Sequence, residues 1–221
     1  IMAGRLPKPG RISLSPMLSY RGKLCGDLTV ACLDENEFMV FGSGAAQEMH
    51  RRWFESHLDK FNLNYKNRSD EFHGLSIAGP NSRKVLEKIV RDDVSNEKFK
   101  FRDSRRMFVG GVPALVNRIS FTGELGYEIY VAPHYQLKLF EELMEAGKEF
   151  NIKPFGGRAL MSMRLEKNWG AWTLDYRPDF TAKETGLDAF INWDKEFIGK
   201  ESAQKENSSH KLTPLIVETN D

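Results

Sequence analysis

SFTGELGYEIYV, residues 120–131, begins as a turn and ends as a strand. From Tyr127 to Val131 the side chains alternate between two faces, so Tyr127, Ile129 and Val131 share one and Glu128 and Tyr130 the other. A carboxylate therefore sits inside a strand. If its side meets solvent, Glu128 is an ordinary surface residue. If it meets a cleft, the carboxylate has to be paired with donors. Two acceptor oxygens side by side suit a guanidinium, or a heterocycle that presents adjacent N–H groups, such as a pterin or guanine edge.

Upstream, RRMFVGGVPALVNRISF (residues 105–121) reads as two strands around Gly110-Gly111. Before it, HGLSIAGPNSRKVLEKIV (residues 73–90) is a short strand running into a helix started by Gly79-Pro80 and packed through Val85, Leu86, Ile89 and Val90. Downstream, residues 133–150 form a helix with Tyr135, Leu139, Leu143 and Ala146 in register. The succession strand, helix, two strands, strand, helix resembles a ferredoxin-like unit. A further helix, GGRALMSMRLEKNWGAW (residues 156–172), brings Leu160, Met163 and Lys167 near one side, and beyond Trp172 the chain turns irregular. At the other end, ISLSPML (residues 12–18) and LCGDLTVACL (residues 24–33) are strands meeting at the turn SYRGK, and EFMVFGSG (residues 37–44) supplies a third. Residues 45–61 then read as a helix whose Met49, Trp53 and, at a looser spacing, His57 and Leu58 should cover that sheet.

With 221 residues the chain can hold one large domain or two small ones. Its 32 Lys and Arg against 31 Asp and Glu leave a formal charge of +1, which gives no global field for nucleic acid or an anionic membrane. No apolar run reaches the roughly 18 residues of a membrane helix, and IMAGRLPKPG lacks the apolar core of a secretion signal, so the expectation is a soluble intracellular chain. Cys25 and Cys32 lie on opposite faces of one strand, which prevents mutual pairing and reads as two reduced thiols. The five histidines show no metal-ligand spacing except His50 and His57, about two helical turns apart, and surface or core roles suit them better. FGSGAA lacks the Lys of a phosphate loop and reads as a helix-entry turn. Trp169 and Trp172 could line a pocket for a flat ligand or simply fill a core.

Asp27 raises the same question as Glu128. In GDLTV it stands in an otherwise apolar strand beside a glycine that permits close approach. It is either an exposed edge-strand acid or an isolated carboxylate that attracts a cationic centre or takes a proton. Arg158, Arg164, Glu166 and Lys167 form a third charged cluster on one helix, where Glu166 reads first as an intrahelical partner.

Together GRISLSPML, GDLTV, SIAGPNSRKVL, SFTGELGYEIYV, FGGRALMSMRLEKNWGAW and FIGKESA resemble, in order over nearly the whole chain, the tetrahydrofolate-dependent region of the dimethylglycine and sarcosine dehydrogenase family. That region is similar to the aminomethyltransferase, or T-protein, of the glycine cleavage system. The combination T-G-E-x-G-[YWF]-E followed by R-L-E-K carries most of the specificity.

The resemblance implies an α+β, T-protein-like folate-binding fold with ferredoxin-like α/β subdomains. Residues 1–70 would be a first α/β subdomain, 71–175 a ferredoxin-like second one with the folate motif, and 176–221 an irregular segment leading toward a β-barrel domain absent from this chain. Relatives also have folate-domain sequence before Gly4 and often a flavin domain. The implied activity is tetrahydrofolate-dependent one-carbon transfer: a flavin domain oxidises an N-methylamine to an iminium, and tetrahydrofolate captures the carbon. Tetrahydrofolate would be the cofactor here, FAD only through another domain or chain. The partners would be folate, a methylated amine or its iminium, and a flavin-containing dehydrogenase domain or subunit, in the bacterial cytoplasm or the mitochondrial matrix, with neither nucleic acid nor membrane. A glycine-cleavage T-protein-like aminomethyltransferase and a non-catalytic regulatory or assembly module are the alternatives.

Position by position, the resemblance makes Glu128 the acid that binds the pterin ring and Asp27 the catalytic acid near the folate nitrogens that receive the carbon unit. Phe121, which stands where many relatives have Tyr, and Tyr127, Arg158 and Trp172 are expected beside the folate. Gly26-Asp27, in place of paired aspartates, fits the dehydrogenase branch.

Overall fold

A computed structural model of the chain describes residues 1–208 and 210–218. Two antiparallel sheets organise it. The first contains β1 (Arg11–Leu18), β2 (Leu24–Asp34) and β3 (Glu37–Phe41) in that order. At the turn between the first two, the Ser19 N–H donates to the Lys23 carbonyl at 2.8 Å while Gly22 takes φ 74°, which glycine adopts without a Cβ clash. FGSGAA becomes a 3-10 turn, Gly44–Ala46, opening α1 (Gln47–Leu58).

α1 does not turn the expected face to the sheet. Met49 is 41% exposed, and the buried residue of the helix is His50. Side chains at Gly26 and Gly42 would bring a β-carbon to 2.8 Å from His50 Nε2 and 3.0 Å from Nδ1, so the imidazole fills the gap those glycines leave. Nε2 donates to the Cys25 carbonyl at 3.1 Å, and burial holds the ring below its usual pKa. Helical periodicity alone could not reveal this face, because it depends on two absent side chains in other elements.

The second sheet contains β4 (His73–Ala78), β5 (Ser104–Val109), β6 (Val112–Asn117) and β7 (Gly126–Val131), in the order β4-β7-β6-β5 and antiparallel throughout. α2 (Ser82–Glu87) and α3 (Gln136–Gly147) cover one face, which makes a two-layer unit of helices on sheet. Its core joins Val85 and Leu86 of α2 and Leu139 and Leu143 of α3 to Val116, Tyr127 and Ile129 of the strands. The 3.6-residue and two-residue periods read from the sequence meet here. Truncating one such residue, as in Leu139→Ala, costs about 2–5 kcal/mol.

α4 (Gly157–Glu166), α5 (Ala182–Thr185) and α6 (Lys200–Lys205) complete the helices, and the irregular stretch beyond Trp172 carries the last two. Thr181 and Glu184 form a reciprocal capping box at the start of α5. Residues 176–197 fold back onto the first sheet: Tyr176, Leu187, Ile191 and Phe197 share a core with Leu18, Leu24 and Trp172. Residues 209 and 219–221 of the expected C-terminal segment lie outside the described residues. Among the described residues no strand follows β7 and no barrel closes. Among the described residues no helix is long and apolar enough to cross a membrane. Both cysteines are free.

Candidate functional site

Glu128 and Tyr130 point away from the helices, on the face opposite the core. Register places Ser76, Glu128, Asn117 and Ser104 side by side across the four strands, forming a polar row across the sheet. The Tyr130 hydroxyl donates to Glu128 Oε2 at 2.8 Å, and Oε1 takes no hydrogen bond from a described residue. Burial pushes the Glu128 carboxyl above its usual pKa, while the Tyr130 hydroxyl and the Lys167 ammonium pull it back. Asn117 is wholly buried; its Oδ1 accepts from Ser104 Oγ at 2.7 Å and its Nδ2 has no partner. The row therefore offers one free acceptor beside one unsatisfied donor.

Asp27 stands half-buried on β2, opposite Pro16 of β1. No side chain among the described residues donates to its carboxylate, and burial pushes its pKa up to about 7, with only its own backbone N–H working against the rise. Glu128 has partners; Asp27 has almost none.

Residues 167–176, directly after α4, run between the two acids. At one end Lys167 Nζ donates to the Ser120 carbonyl at 2.7 Å and lies 5.1 Å from the centre of the Trp169 ring. At the other, Tyr176 lies close enough to Asp27 for the carboxylate to add to the rise that burial causes in the phenol's pKa. Trp169 packs edge-on against Tyr176 at 6.1 Å. Arg164, 5% exposed, holds the segment shut: Nη1 donates to the Trp169 carbonyl at 2.8 Å and to Asp175 Oδ2 at 2.6 Å, and that oxygen also accepts from the Ala171 N–H at 2.9 Å. Gly170 is required, since a β-carbon there would come within 2.3 Å of the Tyr176 ring.

The other expected residues are placed differently. Tyr127 is fully buried in the second sheet's core, on the face away from Glu128, as strand alternation demands. Arg158 is exposed in the first turn of α4 and makes no hydrogen bond or ion pair with a described residue. Trp172 is packed into the core under β1 and β2, with its ring 5.9 Å from His50. Phe121 lies half-buried in the turn before β7. Tyr130, Lys167, Tyr176 and Asn117 went unassigned in the sequence, although Tyr130 shares the Glu128 face by alternation and Lys167 closes R-L-E-K. The five histidines do not gather, and no group of three or more potential metal ligands occurs among the described residues.

A cavity of about 460 Å³ opens beside the row, lined by Leu28, Phe41, His50, Arg51, Tyr65 and Tyr130 among others. Neither acid forms its wall. Tyr130, the partner of Glu128, does.

Residues 1–195 match the GCVT N-terminal domain family. The chain belongs to that family. Along its whole length it is 35% identical to the mitochondrial dimethylglycine dehydrogenase of Homo sapiens, of which the match covers 26%. Over 90% of its length it is 30% identical to the aminomethyltransferase of Thermoanaerobacter pseudethanolicus, covering 54% of that protein. The chain thus spans between about a quarter and about half of the length of these curated relatives. The glycine cleavage system aminomethyltransferase T from Bartonella henselae superposes with a TM-score of 0.78 at 21% identity, over 92% of this chain and 59% of that one, which shows the same fold. GCVT N-terminal domain membership agrees with the resemblance carried by TGELGYE and RLEK.

Proposed function

We propose that this GCVT N-terminal domain binds tetrahydrofolate and serves one-carbon transfer in a dimethylglycine dehydrogenase-like enzyme, with a flavin-bearing domain or subunit supplying the oxidised amine. The observation that carries the reading is the pair of half-buried carboxylates, one per sheet, each near one end of a segment that Arg164 and Asp175 staple shut. The residues present fit the group. Glu128 has a free oxygen for ring N–H groups, and Asn117 beside it has an unspent N–H for an acceptor on the same ring edge. The neighbouring 460 Å³ cavity is within the size range of small-molecule sites.

Glu128 would bind and orient the pterin. Asp27, with a pKa of about 7, would exchange a proton near neutrality or stabilise a nearby cation. Tetrahydrofolate, when bound, supplies the nitrogens that take up the one-carbon unit. Trp169 and Tyr176 would exclude water between the acids. An anaerobic calorimetric titration of the chain with reduced tetrahydrofolate tests the reading. A saturable heat with a micromolar dissociation constant is expected, and the absence of heat from demonstrably folded protein overturns it.

A further inference from the structure

The cavity beside the polar row has one fully buried polar side chain in its wall, His50, which is 6% exposed. Its two ring nitrogens face different surroundings. Nε2 lies on the side of Cys25 and Gly26, which do not line the cavity, and donates to the Cys25 carbonyl at 3.1 Å. A carbonyl only accepts, so Nε2 carries the proton of the neutral ring and Nδ1 is a bare acceptor. Nδ1 lies on the side of Gly42, an exposed residue of the wall, where a β-carbon would stand 3.0 Å away. No described residue donates to it.

The rest of the wall sets what can meet that nitrogen. The rings of Phe41 and Tyr130 lie 4.4 Å apart, and Phe54 and Tyr65 add a second aromatic pair at 5.8 Å. Every cation of the wall is already paired, Arg51 with Glu48 and Glu55, Lys66 and Arg68 with Glu71. No carboxylate among the described residues lines the cavity. Aromatic surface, no unspent charge and one buried acceptor remain.

We propose that His50 is a ligand-binding residue whose Nδ1 accepts from an N–H or O–H on the edge of a flat, uncharged aromatic or heteroaromatic ring held in this cavity. A ring without that donor would leave a buried acceptor unpaired and bind more weakly. The missing side chain at position 42 keeps the approach to Nδ1 open, and burial, which holds the imidazole below its usual pKa, keeps a proton off it. Neither acid forms this wall, so the proposal goes beyond the folate reading, and the calorimetric test above and the test below can fail separately.

The experiment is a long-range proton–nitrogen NMR spectrum of the full chain carrying isotope-labelled histidine, with His50 assigned by difference with His50→Gln. Indole, which has one N–H donor and no acceptor nitrogen, is titrated in, and then N-methylindole, which keeps the ring and loses the donor. The free chain should show His50 neutral with its proton on Nε2. Indole should move the Nδ1 resonance upfield and leave Nε2 in place, whereas N-methylindole should bind roughly fivefold more weakly and leave Nδ1 unmoved. Gly42→Ala, shown to be folded by thermal unfolding, should abolish the indole shift by setting its β-carbon against Nδ1. A free ring protonated on Nδ1, an Nδ1 resonance that neither probe moves, or equal shifts with both probes overturns the proposal.

Discussion

The two sheets each carry one acid on a strand, and they treat it in opposite ways. On β7, Glu128 has a hydroxyl donor two residues along, a cation across the turn and an amide on the next strand. On β2, Asp27 has its own backbone N–H and little else, and its pKa climbs to about 7. Both are removed from bulk water, so the difference lies in partners rather than depth. A partnered acid is a fixed acceptor suited to recognition; an unpartnered one near neutrality is suited to moving a proton.

The sharpest way to break this contrast is Glu128→Ala. If Glu128 is the recognition acid, calorimetry should show tetrahydrofolate affinity falling roughly 100-fold, about 3 kcal/mol for a charged hydrogen-bonding group. An unchanged affinity would remove the distinction between the acids.

Asp27→Asn examines the other side. Because the folded pKa is raised from 3.8 to about 7, Asp27 adds its full share of stability at low pH and loses it as pH climbs through 7. Wild-type unfolding free energy should therefore drop between pH 4 and pH 8 by roughly 2 kcal/mol attributable to this group, after screening. Urea unfolding at the two pH values should show that drop shrinking in Asp27→Asn. An equal drop in both proteins would mean that Asp27 is solvated like any surface acid.

Gly170→Ala strikes the segment that links the sheets. Its β-carbon would meet the Tyr176 ring at 2.3 Å, so a loss of about 1–3 kcal/mol is expected in thermal unfolding. Folate affinity should weaken along with it if the segment serves both acids. The smallest effect belongs to Tyr130→Phe, which deletes one hydrogen bond to Glu128 and should lower folate affinity about fivefold, near 1 kcal/mol.

Strand alternation around Tyr127 and Glu128, and the helical registers at Val85-Leu86 and Leu139-Leu143, were legible in the sequence because burial in those elements follows the period of the backbone. Asp27 and Glu128 were legible as acids out of place in apolar strands. What escaped depends on tertiary neighbours. His50 faces the sheet because there is no side chain at Gly26 in β2 or at Gly42 just after β3, so a helix read by itself points to Met49. Tyr127 follows the core face by the same alternation that frees Glu128, which motif matching overlooks. Trp172 is drawn into the core because residues 176–197 double back beneath it. Lys167 reaches the Ser120 carbonyl and the Gly123 turn before β7 from more than forty residues away in the chain, a relation no local pattern contains.

The imidazole seated between Gly26 and Gly42 bears on how such a chain can drift. A methyl at Gly26 alone collides with the ring, and a smaller residue at position 50 alone leaves a void beside the strand that carries Asp27. Each single step is penalised, while a joint one, with a smaller side chain on the helix and a larger one on the sheet, is open. The three positions should therefore change together or not at all, and a collection of homologous sequences would carry that coupling as paired substitutions next to the acid.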